Sequence, residues 1–293
     1  LKLVDRSEEI KERLPKLYQR IEEYKNKRIG APQKSYNPFV KTVKDCDETI
    51  AEAEKDVKRL RGELAQIRDA IAAELRGWGL KLTDAQTDVL FSSVVGDSLL
   101  RNAVIFENVK GVTAQLTQLM AQNKDDTSIA RKYYGMYVTL IDVLLDTQYG
   151  FVNKIDGEWR PQVKKISEGA AASLKEARAA LNRSDFSADQ KAIFRSNAAS
   201  NEMTVKAAEQ YLKLLDNQKA SVQNCIRSIE RDREVAANTY ATVQHISDMN
   251  AVIQSGMQLF DMLAAMQLPE IQAFDSSGVR REFDEITRRL QQK

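Results

Sequence analysis

The stretch that decides the fold runs from Ser187 to Ile246: SADQKAIFRSNAASNEMTVKAAEQYLKLLDNQKASVQNCIRSIERDREVAANTYATVQHI. Neither Gly nor Pro occurs between Ser187 and Gln254. Apolar residues recur at alternating steps of three and four. One series is Val205, Leu212, Lys219, Ile226, Arg233 and Tyr240; the other is Ala208, Leu215, Val222, Ile229, Ala236 and Val243, with Phe194 and Ala198 extending them upstream. These are the a and d positions of a heptad repeat held for about seven heptads, the period of helices that supercoil around a partner. A helix of ~60 residues is about 90 Å long, against a mean of ~11–12 residues. Lys219 and Arg233 break the apolar a series. A polar residue there trades stability for register and oligomer state, so both are assigned to the coiled-coil register. Ser187 and Gln190 have the spacing of a capping box at the helix start.

Working outward, residues 39–78 carry a second seam. Val43, Ile50, Val57, Leu64, Ile71 and Trp78 form one line, and Cys46, Ala53, Leu60, Ile67 and Glu74 the other. The common period predicts that 39–78 packs against 187–246. Pro38 suits the first turn of that helix. Residues 2–29 read as helical around Ile10, Leu14, Leu17 and Ile21, with Pro15 making either two short helices or one kinked helix. Between the long seams, Thr83 and Gln86 form a second capping box. A stripe follows at Leu99, Ala103, Phe106, Val109, Val112, Leu116 and Leu119. The next helix starts near Ile129, with a stripe of Ile129, Tyr133, Met136, Leu140, Leu144, Phe151, Ile155 and Trp159. Pro161 then permits either a kink or two abutting helices, before Val163, Ile166, Ala170, Leu174, Ala177 and Leu181. After Ser247 a wider apolar face, rich in Met, ends at Pro269, and Ser276 or Ser277 can cap a last amphipathic helix.

The predicted fold is therefore all-α: an elongated helical bundle with long antiparallel coiled-coil helices, forming a single domain over residues 1–293. Its shaft is expected from 39–78, 129–181 and 187–246, with shorter capping helices at 83–123 and 248–291.

Composition agrees with this and limits the chemistry. Among 293 residues there are 12 Gly and 5 Pro, too few turn residues for a strand-rich fold. The net charge is +2, which gives no general field for nucleic acid. The one histidine, His245, has no Cys or carboxylate at metal-ligand spacing, and Thr242 stands where a Glu-x-x-His pair would need its carboxylate. Phosphate-loop, dinucleotide and nucleophile-elbow motifs are absent. Cys46 at a d position and Cys225 beside the seam read as inert thiols, their pairing undecided. No catalytic, cofactor-binding or metal site is assigned, no cofactor is expected, and the chain is read as non-enzymatic.

Two features point to interaction. Tyr134 and Tyr137 lie off the apolar stripe, and amphipathic Tyr favours interfaces. Met257, Phe260, Met262 and Met266 form the adaptable face that Met-rich surfaces use. These six residues are the candidate interaction surface. Residues 88–106, DVLFSSVVGDSLLRNAVIF, have 11 of 19 residues apolar. They read as a short hairpin packed on the long helices, or alternatively as the insertable segment of a pore-forming protein, for which Asp88, Asp97 and Arg101 would be costly in lipid.

Long heptad helices with helical hairpins between them resemble envelope and cytoskeletal scaffold proteins and α-helical toxins alike, a likeness of architecture that carries over no residues. The expected function is a non-enzymatic scaffold or protein-interaction protein, possibly of the bacterial cell envelope. Its expected partner is another protein or a second copy, not nucleic acid. No transmembrane span is expected. The basic face of Arg280, Arg281, Arg288 and Arg289 leaves peripheral membrane contact open. Starting at Leu1 suggests a cleaved export signal and hence a periplasmic or envelope location, with the cytoplasm as the alternative.

Overall fold

A computed structural model describes residues 2–34, 41–77, 82–83, 86–87, 90–91, 93–122, 127–245, 250–272 and 279–291, and the side chains among these except those of 127–130, 244–245, 250–257 and 280. Most of the described residues are helical, and none lies in a strand. The helices are α1 (Lys2–Gly30), α2 (Val43–Gly77), α3 (Val94–Gln122), α4 (Thr127–Lys154), a π-helical segment (Ile155–Trp159), α5 (Arg160–Leu181), α6 (Ala188–His245), α7 (Asn250–Ala265) and α8 (Arg280–Gln291). They gather into two compact units: Leu1–Thr83 with Gln291–Lys293, and Asp84–Leu290.

The first unit is the α1–α2 hairpin. Val4, Ile10, Leu17 and Ile21 of α1 are buried, as are Cys46, Ala53, Val57, Leu60, Ile67, Ile71 and Leu75 of α2. The expected line through Cys46 thus forms the core as far as Ile67; Leu75 then takes the place of Glu74, which is exposed. Trp78 lies outside the described residues. The α2 seam packs on α1, whereas the shared period predicts 187–246 as its partner. A shared period specifies that a helix has a partner, not which one. Arg6 grips Glu63 with both ends of its guanidinium, Nε to Oε1 at 2.6 Å and Nη2 to Oε2 at 3.0 Å. That bond holds the Glu63 carboxyl below its ordinary range. Arg28 pairs with Asp47 beside the turn. Helix α2 starts at Val43 rather than Phe39. Thr42 and Asp45 make a reciprocal cap, Thr42 N–H to Asp45 Oδ2 at 2.8 Å and Asp45 N–H to Thr42 Oγ1 at 3.3 Å. Pro38 lies outside the described residues. Pro15 sits inside a continuous α1.

In the second unit, α6 runs back along α4 and α5. The Ser187–Gln190 capping box forms as expected: Ser187 N–H donates to Gln190 Oε1 at 2.9 Å, and Gln190 N–H donates to Ser187 Oγ at 3.2 Å. From that end the cross-links proceed in opposite chain order: Arg178 to Glu202, Arg160 to Asp216, Asp156 to Lys219, Tyr149 to Glu230, Asp142 to Arg233, and Arg131 to the Val243 carbonyl. All six expected d residues of α6, from Ala208 to Val243, are no more than 1% exposed.

The facing helix is not straight in phase. Tyr134, Ile141, Gln148 and Ile155 are buried at steps of seven, and so are Val163, Ala170 and Ala177, but the interval between Ile155 and Val163 is eight. The extra residue lies in the π segment, where the Arg160 N–H bonds back to Ile155 O, five residues away. Pro161 explains its position: proline lacks an N–H, and its ring collides with the carbonyl four residues earlier. A wider turn just before it relieves both problems. Neither a kink nor two abutting helices results; the helix absorbs one residue and continues.

Helix α3 buries Leu99, Ala103, Phe106, Val109, Thr113, Leu116 and Met120, so the expected Val112 and Leu119 are exposed and Thr113 and Met120 replace them. Gly96 allows the chain to fold onto itself here: a Cβ at that position would stand 1.8 Å from the Leu90 carbonyl oxygen.

Candidate functional site

The two seam-breaking cations of α6 are both matched. Lys219 Nζ lies 2.6 Å from Asp156 Oδ2 of the π segment, and Arg233 Nε bonds to Asp142 of α4. Each a-position charge thus meets a carboxylate on the facing helix of the same chain. The pairs sit at the hairpin edge, where both Arg233 and Asp142 keep nearly half their side-chain surface exposed, so their value lies in alignment rather than net stability. A shift of one heptad would strand both cations without a partner, which is how sparse polar residues choose one register among several of similar apolar energy.

The expected interaction surface is rearranged. Tyr134 is 1% exposed and Tyr137 fully buried, whereas Met136, assigned to the core stripe, is 48% exposed. The seam of α4 passes through Tyr134, Ile141, Gln148 and Ile155, and through Tyr137, Leu144 and Phe151. Polar Gln148 conceals this continuity from an apolar count. Helix α4 also packs on more than one neighbour: α6, α3 and α7 all touch it. The two tyrosines clasp Phe260 of α7, Tyr134 stacked at 6.4 Å between ring centroids and Tyr137 edge-on at 4.9 Å. The Tyr137 hydroxyl donates to the Leu259 carbonyl. Burial pushes that phenol's pKa far above its ordinary value, so the proton stays on the donor. Phe260 and Met266 are buried with this cluster's helix and its exit, while Met262 is 38% exposed. The side chain of Met257 lies outside the described residues. Of the six residues expected to meet a partner, four are therefore interior, and Met262 is the one on the surface among the described side chains.

Two buried residues that sequence reasoning passed over hold the remaining elements on α6. The Tyr211 ring stacks on Phe283 of α8 at 4.2 Å. Its hydroxyl accepts the Val94 N–H at 3.0 Å and lies 3.0 Å from Thr287 Oγ1. One phenol thus satisfies an otherwise unpaired donor at the start of α3 and joins α3, α6 and α8. Gln218 behaves as a substitute peptide group: Nε2 donates to the Glu270 carbonyl at 3.2 Å, and Oε1 accepts the Gln272 N–H at 3.0 Å. This fixes the chain after Pro269 along α6. Both residues occupy g positions of the heptad. Tyr211, Leu214 and Gln218 are buried beside the d line, which shows that α6 has a second covered face where α7 and α8 approach.

The apolar segment 88–106 packs inside this unit. Leu90, Val94, Val95, Leu99, Leu100, Ala103 and Phe106 are buried, and Val94–Phe106 belong to the single helix α3; Asp88, Val89 and Ser92 lie outside the described residues. No described helix is long and apolar enough to cross a membrane. Both cysteines are free. Cys46 is fully buried; burial pushes the Cys225 thiol up to about 11. Among the described residues no group of His, Cys, Asp and Glu is arranged to hold a metal ion. The His245 side chain lies outside them. No family model, curated protein or solved structure matches this chain.

Proposed function

We propose that this chain is a non-enzymatic scaffold whose α4–α5/α6 hairpin works as an antiparallel coiled coil. In this reading the hairpin fixes a distance between its two ends, and a protein partner or a second copy binds the elements displayed there. The observation that carries it is the pairing of Lys219 with Asp156 and of Arg233 with Asp142. The charges that would select a partner helix are used within the chain, so the hairpin is self-sufficient. Recognition then belongs to the surfaces outside the seam, including the exposed Met262.

The test has two arms. Replacing Ile226 and Ile229 with Asp places charge in the seam and should collapse helicity in circular dichroism; unchanged spectra and melting would overturn the coiled-coil reading. Reversing one pair, Arg233→Asp with Asp142→Arg, should restore what either single change loses. For the scaffold role, crosslinking with mass spectrometry on the native full chain should recover a protein contact that the Ile226→Asp/Ile229→Asp variant loses. Leakage of liposomes at micromolar protein would favour membrane activity instead.

A further inference from the structure

The geometry points to a binding groove for a phosphate-bearing anion between α5, α6 and α8, and we propose that it takes a small phosphate or phosphomonoester group. The groove has a volume of about 800 Å³, within the range of small-ligand sites. Its floor is made of small residues. Gly169, Ala170 and Ser173 of α5 lie across from Ser200 and Thr204 of α6, and the missing side-chain volume opens the space that α8 covers from one side.

The charge balance inside the groove is uneven. Four cations line it, Lys165, Arg281, Arg288 and Arg289, with two carboxylates, Glu282 and Glu285. Glu285 is shared by two guanidiniums, Arg288 at 2.6 Å and Arg289 at 3.5 Å. Glu282 accepts a hydrogen bond from the Thr204 hydroxyl at 3.2 Å. Lys165 and Arg281 form no ion pair among the described residues. The groove therefore keeps two positive charges in excess, on side chains with no ion pair or hydrogen bond among the described residues. The Ser173 and Ser200 hydroxyls, which also make no hydrogen bond among the described residues, add neutral donors on the floor.

That donor set distinguishes its ligand. A guanidinium presents paired N–H groups that match two oxygens of one phosphate, and charge-assisted bonds of this type are roughly twice as strong as neutral ones. Lys165 supplies a point charge from α5, while the arginines come from α8. Tetrahedral oxygens can meet α5, α6 and α8 together, whereas a planar carboxylate presents two oxygens to one wall. The net charge of the whole chain is only +2, so the attraction is local to this groove rather than a general affinity for polyanions. This inference stands apart from the scaffold reading, since neither requires the other.

Calorimetric titration of the full chain with inorganic phosphate and with pyrophosphate tests it. Pyrophosphate should bind at one site per chain, more tightly than phosphate, and binding should weaken as salt rises. The Lys165→Ala/Arg281→Ala variant removes two side chains that hold nothing else, so its circular dichroism should match that of the parent while pyrophosphate binding falls at least about tenfold. Sedimentation with phosphatidylcholine vesicles, with and without phosphatidate, identifies the source. Pelleting that needs phosphatidate, is lost in the variant and is competed by pyrophosphate would assign the same groove to a lipid headgroup. Absence of binding to all three probes at about 5 mM, an affinity near 3 kcal/mol, would overturn the proposal. So would binding that the double variant leaves unchanged.

Discussion

Gln148 is the residue whose replacement tests the packing of the hairpin most directly. It occupies a seam position of α4, fully buried, and neither its Nε2 nor its Oε1 has a hydrogen-bond partner. The neighbouring Tyr149–Glu230 contact places this turn of α4 against α6, beside a seam in which Ile226 and Ile229 are buried. An amide taken from water without compensation costs roughly 1–3 kcal/mol on the evidence of protein mutations. Met has nearly the same length and volume and no group to satisfy, so Gln148→Met removes the cost and leaves the packing intact. The expected gain is about 2 kcal/mol. In a unit of this size that raises the melting temperature by roughly 4–8 °C. The measurement is urea unfolding in a Trp78→Phe background, which leaves Trp159 as the single tryptophan; its ring meets Phe151 edge-on at 5.8 Å, in the same seam. The midpoint should rise with the slope unchanged. A lower or unmoved midpoint would refute the argument and show that the amide is hydrogen-bonded in the folded chain.

Two glycines should respond with opposite sign: Gly96→Ala must displace the Leu90 carbonyl and should cost about 3 kcal/mol, while Gly111→Ala, with open space around it, should add up to about 1 kcal/mol. Both are read by thermal melting. Removing the Tyr137 hydroxyl with Tyr137→Phe should cost about 1 kcal/mol, and Phe260→Ala about 3–5 kcal/mol; hydrogen exchange should show α7 losing protection in both, more in the second. Cys225 should react with iodoacetamide at pH 8 roughly 100-fold more slowly than an exposed thiol, because a group with pKa about 11 is almost wholly protonated there. Since folding raises this pKa, its contribution to stability is complete below the ordinary thiol value and is lost as pH rises through about 11. Chemical denaturation between pH 8 and 11 should show a steeper decline in the parent than in Cys225→Ala, where the buried tyrosines Tyr137 and Tyr211 still contribute a loss toward the alkaline end.

The all-helical class was legible because the d series of α6 is uninterrupted: Ala208 to Val243 are apolar at every step and interior at every step. Legibility failed wherever a seam position was polar. Gln148 in α4 and Thr113 in α3 are buried at seven-residue spacing, Thr113 by turning its hydroxyl onto the Val109 carbonyl at 2.8 Å. A count of apolar residues steps around such positions onto the wrong face, and so Tyr133 and Met136 were preferred to Tyr134 and Tyr137. Spacing alone, with identity ignored at one position in four, would have recovered the line. The pairing of the helices was not legible, because identical periods leave partner choice to contacts between residues far apart in sequence. The bonds of Tyr211 and Gln218 are of that kind. The phosphate groove was half visible, as a basic pattern in the last helix; its floor of Gly169, Ala170, Ser173 and Ser200 comes from two helices that only the hairpin brings together.

The eight-residue interval between Ile155 and Val163 has a consequence for how this chain can vary in length. In most of the hairpin, gaining or losing a single residue would rotate everything beyond it by about 100° and turn the core outward. Ile155–Trp159 already holds one surplus residue in its wide turn. Loss of Gly157 would return Tyr134 to Ala177 to an unbroken count of sevens, at the expense only of the relief that Pro161 needs. Loss of a single residue is therefore neutral to the reading frame of the core at this one turn. Descendants of a common ancestor that kept the hairpin should differ in length there before they differ anywhere else along it.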